Sequence, residues 1–477
     1  LNLDPLGTAP IGRAQHLALM MLAVPHAALG LGLAFVLAPS GWLMRGLQTI
    51  FGFWPLPPDW QLVPGEAGLA LALALFLKET PFLFFAMVMA LRQLRPERHL
   101  LIAQALGYAD NMAWIKLVMP RLYPLVRFPI LAVLAYSLSV VDMSLILGPT
   151  TPSTLPVLIL KWANDPDLGQ RFVAAAAALL QLAVVSGAIL VWLLGERLVV
   201  MLARSWLSAG DRCAPAWLML VGRCLLKLIA GMGVALVLLS VAGLLLWSLA
   251  QIWRYPALLP DAVGLTTWRH AIADLYVPLR NSLILALTSA ALAMLLSLAC
   301  LQHERALRAE VVRAAEKWLF LPLLVPEICF LFGLQVLLLL LGVNGTWLAV
   351  LWMHLLFVFP YVFLTLKEPW RALDPRYEIA GLALGQSAWR VLWRIKLPLL
   401  RAPLFWAAAI GCTVSLSLYL PTVQGGEGRI STLATEAVTL GGGGDRRIMG
   451  VFGIAQTITA GLFLVGALRL ARGRRRG

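Results

Sequence analysis

Few residues in this sequence are placed where they could do chemistry, and those few lie in apolar surroundings. Asp142 sits within "SVVDMSLILGP", Lys78 and Glu79 are adjacent in "LKETP", and His354 stands alone in an apolar run. An ionisable group in lipid is costly, so each of these calls for a role. Asp142, together with the hydroxyls of Ser139 and Ser417, is a candidate for lining a solute path. The competing reading of Asp142 is a buried polar contact or a place near an interface. "KETP" reads as a local helix break re-satisfied by neighbouring helices. His354 reads as a core histidine, and His26 and Glu327, each directly after a proline, read as capping or packing residues. The histidines are dispersed, and Cys213, Cys224, Cys300, Cys329 and Cys412 show neither metal-ligand nor disulfide spacing. No metal site, cofactor or catalytic residue is therefore expected, and the cysteines read as small core residues. "GGGGDRRIMG" (441–450) has the glycines of a phosphate loop but not its Lys-Ser/Thr pair, which leaves an external turn that a binding protein could touch.

The elements that must position these residues follow from composition. The chain has 477 residues, 61% apolar and only 13% charged, which no ordinary water-soluble domain matches. Blocks long enough to span a bilayer fall near 17–38, 67–91, 126–148, 172–194, 225–250, 279–301, 318–341, 347–366, 402–421 and 449–468. The expected fold is therefore an all-α, polytopic transmembrane bundle with ten visible helices. A net charge of +15 could suggest nucleic acid, but the arginines fall between apolar blocks and at the tail. If the tail is cytoplasmic, loops 92–127, 195–227, 302–317 and 367–401 share its side. With the start and the tail they hold 28 of the 38 Lys and Arg, as the positive-inside rule requires.

One segment breaks the apolar pattern in a way that suits docking. In "YEIAGLALGQSAWRVLWRIKLPLL" (377–400), Ala388, Val391, Leu392 and Ile395 fall at i, i+3, i+4 and i+7, giving one apolar face between Gly385 and Pro398. Arg390 and Arg394, flanked by Trp389 and Trp393, occupy another face. So short a helix cannot span the membrane and is expected to lie along it. A fainter copy, "HLLIAQALGYADNMAWIKLVMPRL" (99–122), has Gly107 and Pro120 at the same spacing of 13, and both pairs are offset by 278 residues. The register continues from "YSLSVVDMSLILGPT" to "VSLSLYLPT" and from "STLPVLIL" to "STLATEAV". Upstream, "AVPHAALGLGL" parallels "LVPEICFLFGL" at an offset of 301, with the 23 extra residues assigned to the loop "PSGWLMRGLQTIFGFWPLPPDW". Such parallel repeats are common in transporters. The reading is a first repeat at 1–194, a cytoplasmic linker at 195–224 and a second repeat at 225–477. Because the second repeat has six helices and the first shows four, two more helices are expected ahead of Leu1.

This pattern resembles the membrane permeases of bacterial ABC importers, whose signature loop runs E-A-A, three residues, G, and then about a dozen residues to I-x-L-P. Here the second copy offers Glu378, Ala380, Gly381, Gly385, Ile395, Leu397 and Pro398; the first keeps Ala103, Gly107, Ile115 and Pro120 but has Leu100 and Leu101 where an acid is expected. The resemblance implies a type I permease fold and coupling helices seated in grooves of an ATP-binding subunit, two copies of which would dock. It implies ATPase-coupling roles for Glu378, Ala380, Gly385, Trp389, Arg390 and Pro398, and for Gly107, Trp114 and Pro120. An extracytoplasmic solute-binding protein would deliver the solute, in a bacterial inner membrane, with the C-terminus cytoplasmic. Fused halves, "TLPVLIL" and "GGEGRISTLATEAV" resemble the iron(III)- and thiamine-type importers. With only Glu378 acidic, the tighter grip is expected at Tyr377–Leu400. No Walker motif occurs, so ATP hydrolysis is expected on a separate chain and this chain is not itself an enzyme. The alternative is an ion-gradient-driven secondary transporter with parallel repeats, which would need ionisable pairs at mid-membrane in both halves.

Overall fold

The computed structural model describes residues 12–59, 62–212, 216–304 and 307–472. Helices dominate because lipid cannot satisfy a backbone N–H or C=O, so each spanning segment must bond within itself. The first set comprises α1 (Arg13–Ala23), α2 (His26–Leu37), α3 (Trp42–Phe51), α4 (Leu69–Leu94), α5 (Glu97–Ala105), α6 (Asp110–Ala113), α7 (Met119–Ser139), α8 (Asp142–Leu147), α9 (Leu155–Ala163) and α10 (Gln170–Ser208). The second opens with α11 (Ala216–Leu249), a two-stranded antiparallel pair β1 (Ala250–Ile252) and β2 (Ala262–Val263), α12 (Thr266–Glu304), α13 (Ala309–Leu319), α14 (Glu327–Leu340) and α15 (Trp347–Arg371). It closes with α16 (Pro375–Ala383), α17 (Ala388–Val391), α18 (Leu397–Leu399), α19 (Arg401–Ser417), α20 (Leu420–Gly426), α21 (Leu433–Gly441) and α22 (Arg446–Arg472). Among the described residues eight helices are long and apolar enough to cross a membrane, or ten if each of two bent pairs is one span. The chain is thus a polytopic helical membrane protein.

Several expected spans are broken, and prolines mark three of the breaks. Block 17–38 divides into α1 and α2 at Val24–Pro25, and block 318–341 enters α14 through Pro326 after α13, which is bent 96° from it. Proline has no N–H to continue the ladder. Blocks 126–148 and 402–421 divide just after Ser139 and Ser417, giving the short helices α8 and α20; at the second, Pro421 has no N–H for the Ser417 carbonyl. By contrast, α4 runs unbroken through Lys78, Glu79 and Pro81. The break expected at "KETP" therefore lies in the neighbouring α1–α2 pair. Lys78 caps it, donating to the Leu22 and Val24 carbonyls at 3.2 and 2.5 Å. Residues 195–208 and 216–224 are helical ends of α10 and α11.

Packing interleaves the two sets. One buried cluster joins α2, α4 and α8 to α11, α21 and α22; another joins α9 and α10 to α12, α14, α15 and α20. Small residues let the backbones approach. A Cβ on Gly32 of α2 would lie 2.6 Å from the Ser240 carbonyl oxygen, and one on Gly450 of α22 would lie 2.7 Å from the Leu244 oxygen and the Ser248 nitrogen. Helix α11 is thus gripped from two sides by backbone contact.

Within the loop to which the 23 extra residues are assigned, Trp42–Phe51 forms α3, whose Arg45 is 3% exposed. Its guanidinium donates to the Arg254 carbonyl at 2.8 Å and lies 5.1 Å from the Trp253 ring centre, so this insertion clasps the β1–β2 region. Of the cysteines, Cys412 is buried as expected, but Cys224 and Cys300 face outward from their helices. An apolar milieu outside the bundle removes the need to bury them. Cys213 lies outside the described residues.

Candidate functional site

The two matched segments fold into the same succession of elements. Helix α5 (Glu97–Ala105) recurs 278 residues on as α16 (Pro375–Ala383), and α6 (Asp110–Ala113) as α17 (Ala388–Val391). Each short helix then widens into a five-residue π-helix, Trp114–Val118 in one and Leu392–Lys396 in the other. Gly107 and Gly385 close the preceding helices at φ +80° and +76°, a left-handed conformation that a Cβ disfavours. A π-turn is an extra residue in one helical turn and is frequent at functional sites. It was invisible in the sequence because five residues are too few to separate its period from that of an α-helix.

In the second segment three of the four residues of the expected apolar face, Val391, Leu392 and Ile395, turn inward, while Ala388 is exposed. Val391 is 1% exposed, and a Cβ on Gly381 would lie 2.9 Å from both Val391 Cγ2 and Ile395 Cδ1, so α16 and the π-turn touch where Gly381 has no side chain. Outward stand Ala380, Arg390 and Pro398, all exposed, with Trp389 at 67% and Trp393 at 52%. Those two indoles meet edge to face at 5.5 Å. Helix Ala388–Leu399 lies at 80° to α19. Pro403 has no N–H to offer the Leu399 carbonyl, which favours a bend there. The result is a short basic, aromatic ridge nearly perpendicular to the helix it leads into.

The first segment is braced differently. Asp110–Ser139 forms an unbroken helical run, and residues 206–212, at and just beyond the end of α10, lie over its start. The Ala109 N–H donates to the Arg212 carbonyl at 3.0 Å. Lys116 donates to the Ala209 carbonyl at 2.7 Å and sits 4.9 Å from the Trp206 ring centre. A Cβ on Gly107 would be 3.4 Å from Arg212 Nη1, whereas one on Gly385 would meet nothing within 4 Å. Trp114 is half-buried and Pro120 exposed. Arg127 and Tyr123 both bind Glu196, at 2.9 and 2.5 Å, tying α7 to α10. Replacing Lys116 by Met should loosen this strap. Losing about 1 kcal/mol of hydrogen bond corresponds to roughly fivefold faster trypsin cleavage after Arg212, read on gels of the purified protein. An unchanged rate would mean that the strap is held elsewhere.

The residues suggested for a solute path are placed as follows. Asp142 begins α8, is 8% exposed and accepts from the Met143 N–H at 2.8 Å. Ser139 and Ser417 each end a helix and donate to carbonyls four residues back, at 2.8 and 3.1 Å. Sequence reading treated His26, Lys78, Glu79 and Asp142 as separate features, but the fold gathers them. His26 Nε2 is 3.8 Å from Glu79, and Asp142 lies within electrostatic reach of both His26 and Lys78. Nothing in the spacing showed this, since the groups come from three helices. His354 is a satisfied core histidine: its ring nitrogens meet Ser415 Oγ at 2.8 Å and Thr422 Oγ1 at 2.9 Å, bridging the α19–α20 break. In "GGGGDRRIMG" the acid caps a helix. Asp445 accepts from the Arg447 N–H at 2.9 Å, and the Arg447 guanidinium holds its carboxyl below the usual carboxylate range.

No protein-family model matches the chain. It is 30% identical, over 433 residues covering 90% of this chain and 75% of the relative, to the inner membrane ABC transporter permease protein YnjC of Escherichia coli (strain K12). That likeness extends across both matched segments, and with the bundle of spanning helices it establishes that the chain belongs to the ABC transporter permeases.

Proposed function

We propose that this chain is the membrane-spanning subunit of an ATP-driven importer of the iron(III)/thiamine type, embedded in a bacterial inner membrane. It takes a small solute from an extracytoplasmic binding protein and releases it inward by alternating access. Residues 1–194 and 225–477 are the two fused halves, joined at 195–224, and the C-terminus is cytoplasmic because that orientation places most Lys and Arg inside. Two copies of an ATP-binding subunit dock on the segments around Gly107–Pro120 and Gly385–Pro398. Asp142, Ser139 and Ser417, beside the breaks that open α8 and α20, line the solute path.

The observation that carries this reading is the recurrence, 278 residues apart, of helix, left-handed glycine, short helix and π-turn. In the second of these the exposed Trp389, Arg390 and Trp393 form a ridge. A solvated basic loop would also satisfy the charge pattern, but it would not need the same backbone irregularity twice. The test is to co-express the permease with its ATP-binding subunit and delete Gln386–Trp393. The subunit should no longer co-purify in stoichiometric amount, while the permease still inserts. Undiminished association would show that this ridge is not the docking element.

A further inference from the structure

The acid that distinguishes the second segment from the first faces inward. Glu378 Oε2 lies 2.7 Å from the Nζ of Lys396, the last residue of the π-turn, and Lys396 is only 1% exposed. The same ammonium donates to Gln302 Oε1 at 2.9 Å, at the end of α12, and lies 5.2 Å from the ring centre of Trp370, near the end of α15. Lys396 is thus the point where the docking segment meets two membrane helices. A second ionic cluster ties the same ends together: Arg371 reaches Glu304 at 2.7 Å and Glu316 at 2.6 Å.

In the first segment the positions corresponding to Glu378 and Lys396 are Leu100 and Val118. Val118 is 1% exposed and belongs to an apolar cluster with Leu91, Leu122 and Val126, against which Leu100 packs. An ion pair in one segment therefore stands where an apolar pair stands in the other. Both partners differ together, as expected if they fill one structural place. A buried charge without its partner is strongly unfavourable, whereas an apolar pair of similar volume serves as well.

We infer that Glu378 is a positioning residue, which acts within the permease by holding Lys396 and, through it, the docking segment against the ends of α12 and α15. Its absence from the first segment is then no sign of weaker docking there, because Leu100 and Val118 make the same connection without charge. The consequence for ATP-driven motion rests on the coupling role proposed above; the brace itself does not.

A double-mutant cycle tests this: Glu378→Leu, Lys396→Val and the pair together, in the full-length permease. Each single substitution should lower its melting temperature in detergent. In the complex each should reduce kcat for ATP hydrolysis roughly tenfold, with KM for ATP unchanged because the nucleotide site lies on the other chain. The double variant, which reproduces the chemistry of Leu100 and Val118, should recover most of both losses. The inference is overturned if Glu378→Leu leaves the melting temperature unchanged but releases the ATP-binding subunit, or if the double variant is no better than the worse single one. Should deletion of Gln386–Trp393 leave docking intact, the coupling role fails. The melting-temperature cycle on the permease alone would still decide the brace.

Discussion

Replacing Gly450 by Val should be among the most damaging single changes in this protein, and Gly32→Val should be nearly as severe. The Cβ introduced at either site would fall 2.6–2.7 Å from backbone atoms of α11. Backbone cannot rotate away as a side chain can, so the helices must separate. Overpacking of this kind costs about 1–3 kcal/mol and occasionally more. Here the upper end applies, because separation also loses dispersion contacts along α11, and dispersion is the main attraction between helices in lipid. Two glycines of α11 itself supply the control. A Cβ on Gly231 or Gly243 would have nothing within 4 Å, so Gly→Ala there should be neutral or gain up to about 1 kcal/mol of helix propensity. Thermal unfolding in detergent, with yield of monodisperse protein as a second reading, separates the pairs. Equal stability of the Gly450→Val and Gly231→Ala proteins would refute the close crossing. The effect matters for transport because α11 begins within a few residues of the end of α10 and packs between α2 and α22, so loosening it loosens the joint between the two sets of helices.

Local pattern was legible in the sequence, and partner choice was not. The Gly-to-Pro spacing located both matched segments, since a 3.6-residue period and a glycine before it are properties of neighbouring residues. The same holds for Val391 and Ile395 facing inward. The π-turns left no such trace, and neither did the break after Ser139, which no proline marks; after Ser417 the signal was there in Pro421, in the first turn of α20. Within the linker expected at 195–224, residues 195–208 continue α10, because "ERLVVMLARSWLS" holds neither Gly nor Pro to stop it. The largest gap between reading and structure concerns charges. Read by motif, Glu378 pointed to a partner chain, and nothing in the spacing showed that within its own chain it meets Lys396, 18 residues away around the Gly385 turn. Lys78 pointed to a break in its own helix, yet it caps a break in another. Each depends on which helices become neighbours, and that is decided by packing over the whole bundle.

Lys78→Met is the second change expected to have a large effect, and two contributions to it can be weighed. The substitution removes the donor to the Leu22 and Val24 carbonyls, groups left over where Pro25 ends the helical ladder. Hydrogen bonds inside membranes are worth only about 0.6 kcal/mol each on average, so this loss alone amounts to about 1 kcal/mol. The substitution also removes a buried cation from beside Glu79 and Asp142. No ion pair joins Lys78 to either carboxylate among the described residues, so this loss acts through space, and a second substitution reads its size against the hydrogen-bond loss. The two causes make different predictions for a second substitution. If charge decides, Lys78→Met with Asp142→Asn should recover most of the stability, because the stranded carboxylate goes with it. If the freed carbonyls decide, the double variant should be no more stable than Lys78→Met alone, and Lys78→Gln, which keeps a donor without the charge, should recover instead. Melting temperatures of the three variants in the same detergent distinguish the cases, and we expect the first. That outcome would couple Asp142 to Lys78, so an effect of Asp142 on solute passage is best measured in proteins that keep Lys78.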